Sequence, residues 1–469
     1  MRSIAVVGAS LAGLSAARAL RGQGFDGRLT LIGTESHRPY DRPPLSKEFL
    51  AGRMSEADLA LEADDEDLGA EWRLGVTATG LDPSDRGVLL DDGTSVRADG
   101  IVVATGASAR TLPGGGGLGG VHTLRSLDDA RALRSDLVKG RRLVVIGAGF
   151  IGAEVASTAR DLGLDVTVVE TAPTPFAGAL GAEMGAVVAS LHGDHGVRLI
   201  CGVGVRGLLG AGRVDGARGP GGAGRVDGAR GPGGAGRVDG ARGPGGVDRV
   251  DGARGSAGVD RVDGARGSAG VDRVDGVHGP EGADRVAGVL LDDDRILPAD
   301  VVLVGIGARP NVEWLAGAGF QLTNGVVCDA GGATGVPGVV AVGDCAAWFD
   351  PTMGYHHRVE HWTGALRRPA AAAVTLLSGG ATAPDPPSSP YFWSDQYGMK
   401  IQFVGHARPG DTVTVEEGDV TGRSFLAVYR RQDRPVAVLS LNQVRLFTRW
   451  RRRLDAAPSR TDSTLRSEL

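Results

Sequence analysis

Two stretches of this chain have the residue types and spacing to hold a phosphate-bearing ligand. The clearer one is Val144-Val-Ile-Gly-Ala-Gly-Phe-Ile-Gly-Ala-Glu154, which reads as strand, tight turn and helix. Gly147 lets the chain turn sharply out of the strand. Gly149 has no side chain, so a pyrophosphate can approach the backbone, and Gly152 lets the helix pack closely on the sheet. The helix N-terminus then points its free N–H groups at the phosphates. A lone Gly-x-Gly-x-x-Gly says little, but Val166-Thr-Val-Val-Glu170 follows as a second strand whose acidic end sits where a ribose 2′-OH would be bound. A carboxylate there accepts from the hydroxyl and repels a 2′-phosphate. Thr171 and Ala172 offer no compensating arginine, so NADH is expected over NADPH.

The second such stretch stands first in the chain, at Ile4-Ala-Val-Val-Gly-Ala-Ser-Leu-Ala-Gly13. Gly8 and Gly13 hold the first and third glycine positions, and Ser10 replaces the middle one. A helix is expected from Leu14 to Leu20, then the strand Leu29-Thr-Leu-Ile-Gly-Thr-Glu35, with Glu35 in the ribose-binding place. Two such units suggest two dinucleotides bound together, one resident and one exchangeable. Between them, two prolines in Arg38-Pro-Tyr-Asp-Arg-Pro-Pro-Leu-Ser-Lys47 stiffen a loop, permit a helix start at Leu45 or Ser46 and present Lys47. Ile101-Val-Val-Ala-Thr-Gly106, Val301-Val-Leu-Val-Gly-Ile-Gly307 and Val339-Val-Ala-Val-Gly-Asp344 read as buried strands, the last with an acid at its tip.

The elements that must position these residues fit in 469 residues, enough for two or three domains with proper cores. A net charge of −5 argues against a nucleic-acid binder. No apolar run approaches the length needed to span a bilayer. With the first strand starting at Ile4, no signal peptide is expected, and a cytoplasmic protein is. Cys201, Cys328 and Cys345 form no Cys-x-x-Cys pair. That fits a reducing compartment and removes a dithiol reductase, which needs two nearby thiols.

Taken with Arg42-Pro-Pro-Leu-Ser-Lys47, Ala104-Thr-Gly106, Gly343-Asp344, Arg358-Val-Glu-His-Trp362 and Tyr391-Phe-Trp-Ser-Asp-Gln-Tyr397, the two fingerprints make the chain resemble the ferredoxin reductase family. These are FAD-dependent pyridine-nucleotide oxidoreductases that feed monooxygenases and dioxygenases. The resemblance covers essentially everything except residues 211–282. It implies an α/β fold with two Rossmann-like dinucleotide-binding domains, glutathione-reductase-like, and a small α+β C-terminal domain. The FAD-binding domain would take residues 1–110 and 325–388, the NAD-binding domain 111–324, and the C-terminal interface domain and tail 389–469. FAD contacts are implied at Gly8, Ser10, Ala12, Gly13, Glu35, Arg42, Lys47, Ala78, Thr105, Gly106, Arg125, Asp344 and Trp362. In these, Glu35 accepts from the adenosine ribose and Asp344 from the ribityl chain. Arg125 offsets pyrophosphate charge, and Trp362 lies by the isoalloxazine. NAD contacts are implied at Gly147, Gly149, Gly152, Glu154, Glu170 and Gly307. Lys47 and Glu154 are the implied catalytic pair, meeting beside flavin and nicotinamide. Gly178, Gly364 and Arg368 depart from residues common in the family.

The chemistry so implied passes electrons from NADH through FAD to a ferredoxin or rubredoxin-like protein, by a monomer or homodimer. Nicotinamide gives up two electrons at once, an iron–sulfur cluster accepts one at a time, and flavin converts between them. Hydride transfer needs stacking and exclusion of water rather than a nucleophile. The alternatives are an NADH-dependent nitrite reductase, an NADH oxidase, or a flavoprotein like apoptosis-inducing factor whose reduction switches a binding surface. The oxidase reading is weakened because no cysteine is expected near the flavin motifs. No cysteine lies near His356, His357 and His361 and a metal-ligand geometry is missing, so no metal is expected.

Residues 211–282 are six units of twelve, beginning Ala211-Gly-Arg-Val-Asp-Gly-Ala-Arg-Gly-Pro-Gly-Gly222. Their apolar residues are only Val and Ala, too few to build a core, so a surface insertion at a hairpin is expected. After the linker Pro384-Asp-Pro-Pro-Ser-Ser-Pro390, short alternating strands lead to a basic tail with Arg445, Arg449, Arg451, Arg452 and Arg453 around Trp450. That tail is a candidate surface for an acidic partner.

Overall fold

The computed structural model describes residues 1–113, 117–211, 285–351, 353–380 and 389–456, with four short strand segments between 226 and 262. Two five-stranded parallel sheets carry the two fingerprints. In the first, Ser3–Val7 lies between Arg28–Gly33 and Gly100–Val103, with Ala70–Leu74 and Val339–Ala341 at the edges. In the second, Arg142–Ile146 lies between Asp165–Glu170 and Val301–Val304, with Arg198–Cys201 and Val121–His122 at the edges. After their first residues the central strands are apolar, and at most 4% exposed, from Ile4 to Val7 and from Leu143 to Ile146. Such unbroken burial is what a parallel sheet covered on both faces requires. Register is equivalent in the two sheets: Val6 faces Leu31 and Val102, and Val145 faces Val168 and Leu303. Both turns therefore leave their sheets at the C-terminal strand ends, beside Glu35 and Glu170.

The first sheet is closed by distant sequence. The strand Val339–Ala341 pairs with Gly100–Val103, and the helix Trp362–Ser378 packs against the helix Leu11–Gly22. The C-terminal part is a five-stranded antiparallel sheet in the order Tyr391–Gln396, Met399–Gly405, Arg434–Leu441, Ser424–Arg431, Thr412–Asp419. On one face the helix Val444–Ala456 buries Phe447 against Val404, Leu426, Val428 and Val438. On the other, Ile401, Phe403, Phe425 and Tyr429 share a core with Leu180 and Met184 of the second unit. The architecture is thus the one expected, with two dinucleotide-binding folds and a sheet-rich C-terminal part.

Three local expectations shift. The first fingerprint helix begins at Leu11, not Leu14, so its first N–H groups face the turn itself. The helix expected at Leu45 or Ser46 is a single 3-10 turn, Pro43–Ser46, with proline at its first positions and Lys47 breaking it at φ −125°, ψ −101°. The Tyr391–Gln396 segment, read only as a motif, is a sheet strand.

The insertion opens between the antiparallel strands Val205–Gly210 and Val286–Leu291, where Gly210 faces Val286. The repeats at 211–282 lie outside the described residues apart from Ala211 and the short segments. Of those, Val226–Gly228 pairs with Asp260–Val262, and Val238–Asp239 with Arg249–Val250. Among the described residues no helix is long and apolar enough to cross a membrane.

Candidate functional site

A cleft of about 850 Å³ opens at the C-terminal strand ends of the first sheet. Gly8, Ser10, Ala12, Glu35, Arg42, Lys47, Ala78, Thr105, Gly106, Arg125, Asp344 and Trp362 all line it. Of the residues expected at FAD, only Gly13 lies behind the wall, where a Cβ would stand 1.8 Å from the Gly8 carbonyl oxygen. From the second unit, Phe150, Ile151 and Glu154 reach the same cleft.

The cradle is shaped for a pyrophosphate. Gly8 has φ +121°, and a Cβ there would lie 2.0 Å from the Ala104 carbonyl oxygen. Only glycine combines that backbone with that approach. Among the described residues, neither Leu11–Gly22 nor Phe150–Asp161 has a side-chain N-cap bond or an acid in its first turn. The nearby helix Leu127–Asp136, by contrast, has a full capping box from Ser126 and Asp129. Helices that need their N–H groups for phosphate leave them uncapped, while a purely structural helix satisfies its own. The cleft's size, glycine cradle and acid at the second strand therefore fit a flavin dinucleotide.

Charges along the wall are paired. Glu35 accepts from the Tyr40 hydroxyl at 2.5 Å and from Arg42 Nη2 at 2.6 Å. Burial pushes the Tyr40 phenol well above its ordinary value, and its oxygen accepts from the Leu127 N–H at 2.8 Å. Arg42 Nε lies 3.3 Å from Ser10 Oγ, so Arg42 stands against the fingerprint turn. Arg125 donates to Asp344 at 2.5 Å and to the Ala107 carbonyl at 3.0 Å. Arg42 thus stands against the fingerprint turn, and Arg125, the cation expected at the pyrophosphate, is ion-paired with Asp344.

Lys47 and Glu154 meet. Lys47 Nζ is 2.8 Å from Glu154 Oε2, with the residues 8% and 5% exposed. Ser46 Oγ donates to the same oxygen at 2.5 Å, Ser394 Oγ donates to Oε1 at 2.7 Å, and Gln396 Nε2 donates to Ser394 at 3.0 Å. The loop, the second fingerprint helix and the C-terminal sheet thus converge on one carboxylate. A buried pair tolerates its desolvation only with such extra hydrogen bonds, and removing one partner costs roughly 3–5 kcal/mol. Trp362 Nε1 donates to Asp41 at 2.8 Å. Burial raises the Asp41 carboxyl, opposed by that bond and by the Lys47 charge. Ser46, Asp41, Ser394 and Gln396 were missed as site residues although all four lie inside the motifs quoted above. The motifs carry their positions but not the direction of their side chains.

The second unit has the same frame with open space before it. Gly147, at φ +99°, would put a Cβ 2.3 Å from the Gly305 carbonyl oxygen, and Gly152 would put one 2.4 Å from that of Gly147. A Cβ on Gly149 would meet no described atom within 4 Å. Glu170 is fixed at the turn by the N–H groups of Ala148 at 2.8 Å and Ala172 at 2.9 Å. Gly307, like Gly147, Gly149, Gly152 and Glu170, lies outside that cleft; its carbonyl accepts from the Arg110 N–H at 2.9 Å, and Gly305 packs on the fingerprint turn. Cys345 corrects the statement that no cysteine lies near the flavin motifs, since it directly follows Asp344. It is fully buried, its Sγ set toward the Val342 and Val103 carbonyls and its thiol pushed up by burial. His361 lines the cleft at the start of Trp362–Ser378, pushed down to about 4 by burial, while His356 and His357 lie on the strand Tyr355–His357.

At the mouth of the cleft, Trp362, Tyr391 and Trp393 also border a shallower hollow of about 320 Å³ with Lys400 and Arg451. The Arg451 guanidinium stacks on Tyr391, 4.6 Å from the ring centroid.

Residues 2–223 and 267–368 match the family model described as pyridine nucleotide-disulphide oxidoreductase, and residues 391–468 match the reductase C-terminal model. The chain is 34% identical to the ferredoxin reductase component of chlorobenzene dioxygenase from Cupriavidus sp. (strain PS12), over 97% of this chain and 92% of that protein. It is 33% identical to the biphenyl dioxygenase system ferredoxin–NAD(+) reductase component of Paraburkholderia xenovorans (strain LB400), over 95% and 91%. The crystal structure of the covalent putidaredoxin reductase–putidaredoxin complex superposes with a TM-score of 0.78 at 28% identity, covering 97% of this chain and 93% of that one.

Proposed function

The chain belongs to the pyridine nucleotide-disulphide oxidoreductase family, and from that premise we propose that it passes electrons from NADH through FAD to a ferredoxin-type iron–sulfur protein serving an oxygenase. The observation that carries this reading is the contact between Lys47 and Glu154. It brings the second unit's helix into the first unit's cleft, so the reactive ends of two dinucleotides would meet there. The relatives named above act as ferredoxin reductase components, and none of the described geometry calls for another chemistry.

FAD, when bound, takes a hydride's two electrons and passes them on singly. The residues hold it in place. Gly8, Ser10 and the bare N-terminus of Leu11–Gly22 take the pyrophosphate, with Arg42 beside them. Glu35 takes the ribose, and Asp344, steadied by Arg125, the ribityl chain. Lys47 presents a fixed positive charge where negative charge develops, and Glu154, Ser46 and Ser394 keep it aimed. Phe150, Phe392 and Trp362 keep water from the meeting point. Gly147, Gly149 and Gly152 with Glu170 take NADH, and the Glu170 carboxylate disfavours a 2′-phosphate. The proposed division assigns 1–110 and 325–388 to FAD, 111–324 to NAD and 389–469 to the interface and tail.

The partner would dock at the aromatic hollow, where Trp362 and Trp393 lie between the cleft and the surface and Lys400 and Arg451 supply positive charge. Such attraction is screened with a Debye length of about 8 Å at physiological salt and acts mainly on association. NADH-driven reduction of an acidic ferredoxin should therefore fall several-fold as salt rises, while reduction of a small neutral dye holds steady. Arg451→Ser should reproduce the loss at low salt. A ferredoxin that is not reduced at all, while the dye is, would reject the acceptor and keep the flavoenzyme.

A further inference from the structure

Outside the cleft, three metal-ligating side chains from two parts of the fold converge. Asp350 ends the strand Ala346–Asp350, and His357 ends Tyr355–His357, which pairs with it antiparallel so that Asp350 faces Tyr355 and Trp348 faces His357. His406 follows directly on Met399–Gly405 of the C-terminal sheet, its N–H bonded to the Val436 carbonyl. One ligand atom from each of Asp350, His357 and His406 lies within 4.8 Å of the other two.

Two observations set this cluster apart from a chance meeting of polar groups. Both ring nitrogens of His357 are buried without a hydrogen-bond partner among the described residues, a rare state for a buried polar atom. And Asp350 Oδ2 stands 4.0 Å from His406 Nε2, too far for a hydrogen bond. An ion that bonds imidazole nitrogen and carboxylate oxygen at about 2.0–2.2 Å spans such a gap with a shift of a few tenths of an ångström. The two imidazole rings stand at 87° to each other with centroids 5.7 Å apart. They do not stack, and small χ rotations bring a nitrogen of each toward Asp350.

We propose that Asp350, His357 and His406 form a site for one divalent first-row transition cation, with zinc the best fit, tying the Ala346–His357 hairpin to the C-terminal sheet. Two imidazoles and one carboxylate suit zinc and leave a fourth position for water. Magnesium, which prefers oxygen ligands in an octahedron, is disfavoured. No metal is expected from His356, His357 and His361 taken among themselves. The partners of His357 come instead from another strand and another sheet. Arg368 is an opposing charge on the His357 side, and the Asp350 carboxylate offsets it. The hairpin leads directly into Arg358–Trp362 at the cleft, and the C-terminal sheet supplies Ser394 to Glu154. An ion here therefore braces two walls of the cleft against each other without touching either nucleotide.

The test uses FAD-loaded full-length protein, stripped with chelator, incubated with Zn²⁺ alone and desalted. Parent and His356→Ala, whose changed residue lies outside the cluster, should retain about one zinc per chain, as a three-ligand site predicts. His357→Val and His406→Leu should retain almost none, with FAD content unchanged. Asp350→Asn, which keeps volume and removes charge, should weaken zinc binding at least about tenfold in competition with a chromophoric chelator. Zinc should raise the melting temperature of the parent by a few degrees and leave His406→Leu unmoved, while the same concentration of Mg²⁺ moves neither. A parent that retains no zinc, or a His406→Leu variant that retains as much as the parent, overturns the site. These readouts are independent of the electron acceptor.

Discussion

At the two fingerprint turns an added methyl group would meet the same obstacle. At Gly8 it is the Ala104 carbonyl oxygen, 2.0 Å away, and at Gly147 the Gly305 carbonyl oxygen, 2.3 Å away. Each is the carbonyl leaving the neighbouring parallel strand, so the first glycine serves strand-to-strand packing as well as the turn. The units part at the next two positions. Ser10 stands where Gly149 stands in the other unit, and its hydroxyl is taken by Arg42, whereas the space before Gly149 is open. Glu35 is held by the side chains of Tyr40 and Arg42, which belong to the cleft wall, and Glu170 is held by backbone N–H groups of its own turn. Later chain wraps the first unit, through the Arg42–Lys47 loop, Asp344 and Trp362, and leaves the second one exposed. On the proposed function, the same motif would make a resident site where the chain encloses it and an exchangeable site where it does not.

The largest break in that comparison comes from the first glycines. Gly8→Ala should abolish FAD retention and destabilise the first sheet, since the new Cβ meets backbone in a left-handed conformation. Gly147→Ala should destabilise the second sheet for the same reason, and the protein that folds should keep FAD while its KM for NADH rises by at least about tenfold, the factor that 1.4 kcal/mol of lost binding corresponds to. FAD-to-protein absorbance ratios and steady-state kinetics check both. Loss of FAD from Gly147→Ala as well would show that the two units do not hold separate ligands.

Lys47, where the units touch, tests the next step. Lys47→Ala should slow flavin reduction by NADH roughly a hundredfold, by analogy with loss of one preorganised charge donor. It should also lower stability, because Glu154 keeps its burial and loses its cation. Stopped-flow absorbance reads the rate, and a rate equal to the parent's would place the pair outside the chemistry.

The smallest effect lies at the acids. Glu170→Ala should leave NADH turnover within a few-fold and improve kcat/KM for NADPH by roughly tenfold, since repulsion of a 2′-phosphate is removed. Glu35→Ala should change FAD retention and leave that preference untouched. A preference that follows Glu35 instead would exchange the roles of the two units.

Much of the site was legible because it is written in local backbone needs. Both glycine turns sit between strand and helix as their spacing implies, and the prolines of Pro43–Ser46 make a tight turn before Lys47. Errors came where neighbours decide. The first helix starts at Leu11 because its N–H groups must face the turn, three residues before apolar periodicity makes it visible. Cys345 sits beside Asp344 in sequence, but the 3-10 turn Gly343–Cys345 points it inward.

The sequence by itself determined the two strand–turn–helix units, the acids that follow their second strands and the sheet-rich C-terminal part. A positive φ at Gly8 and an apolar run at Val144–Ile146 constrain the chain within a few residues. Only the tertiary structure decided that Lys47 finds Glu154 across 107 residues, that Ser394 closes that carboxylate, and that Asp350, His357 and His406 share one point. Those meetings depend on which faces pack and which charges lose water together. Burial of a charge or an imidazole is a property of everything around it, and no local pattern carries it.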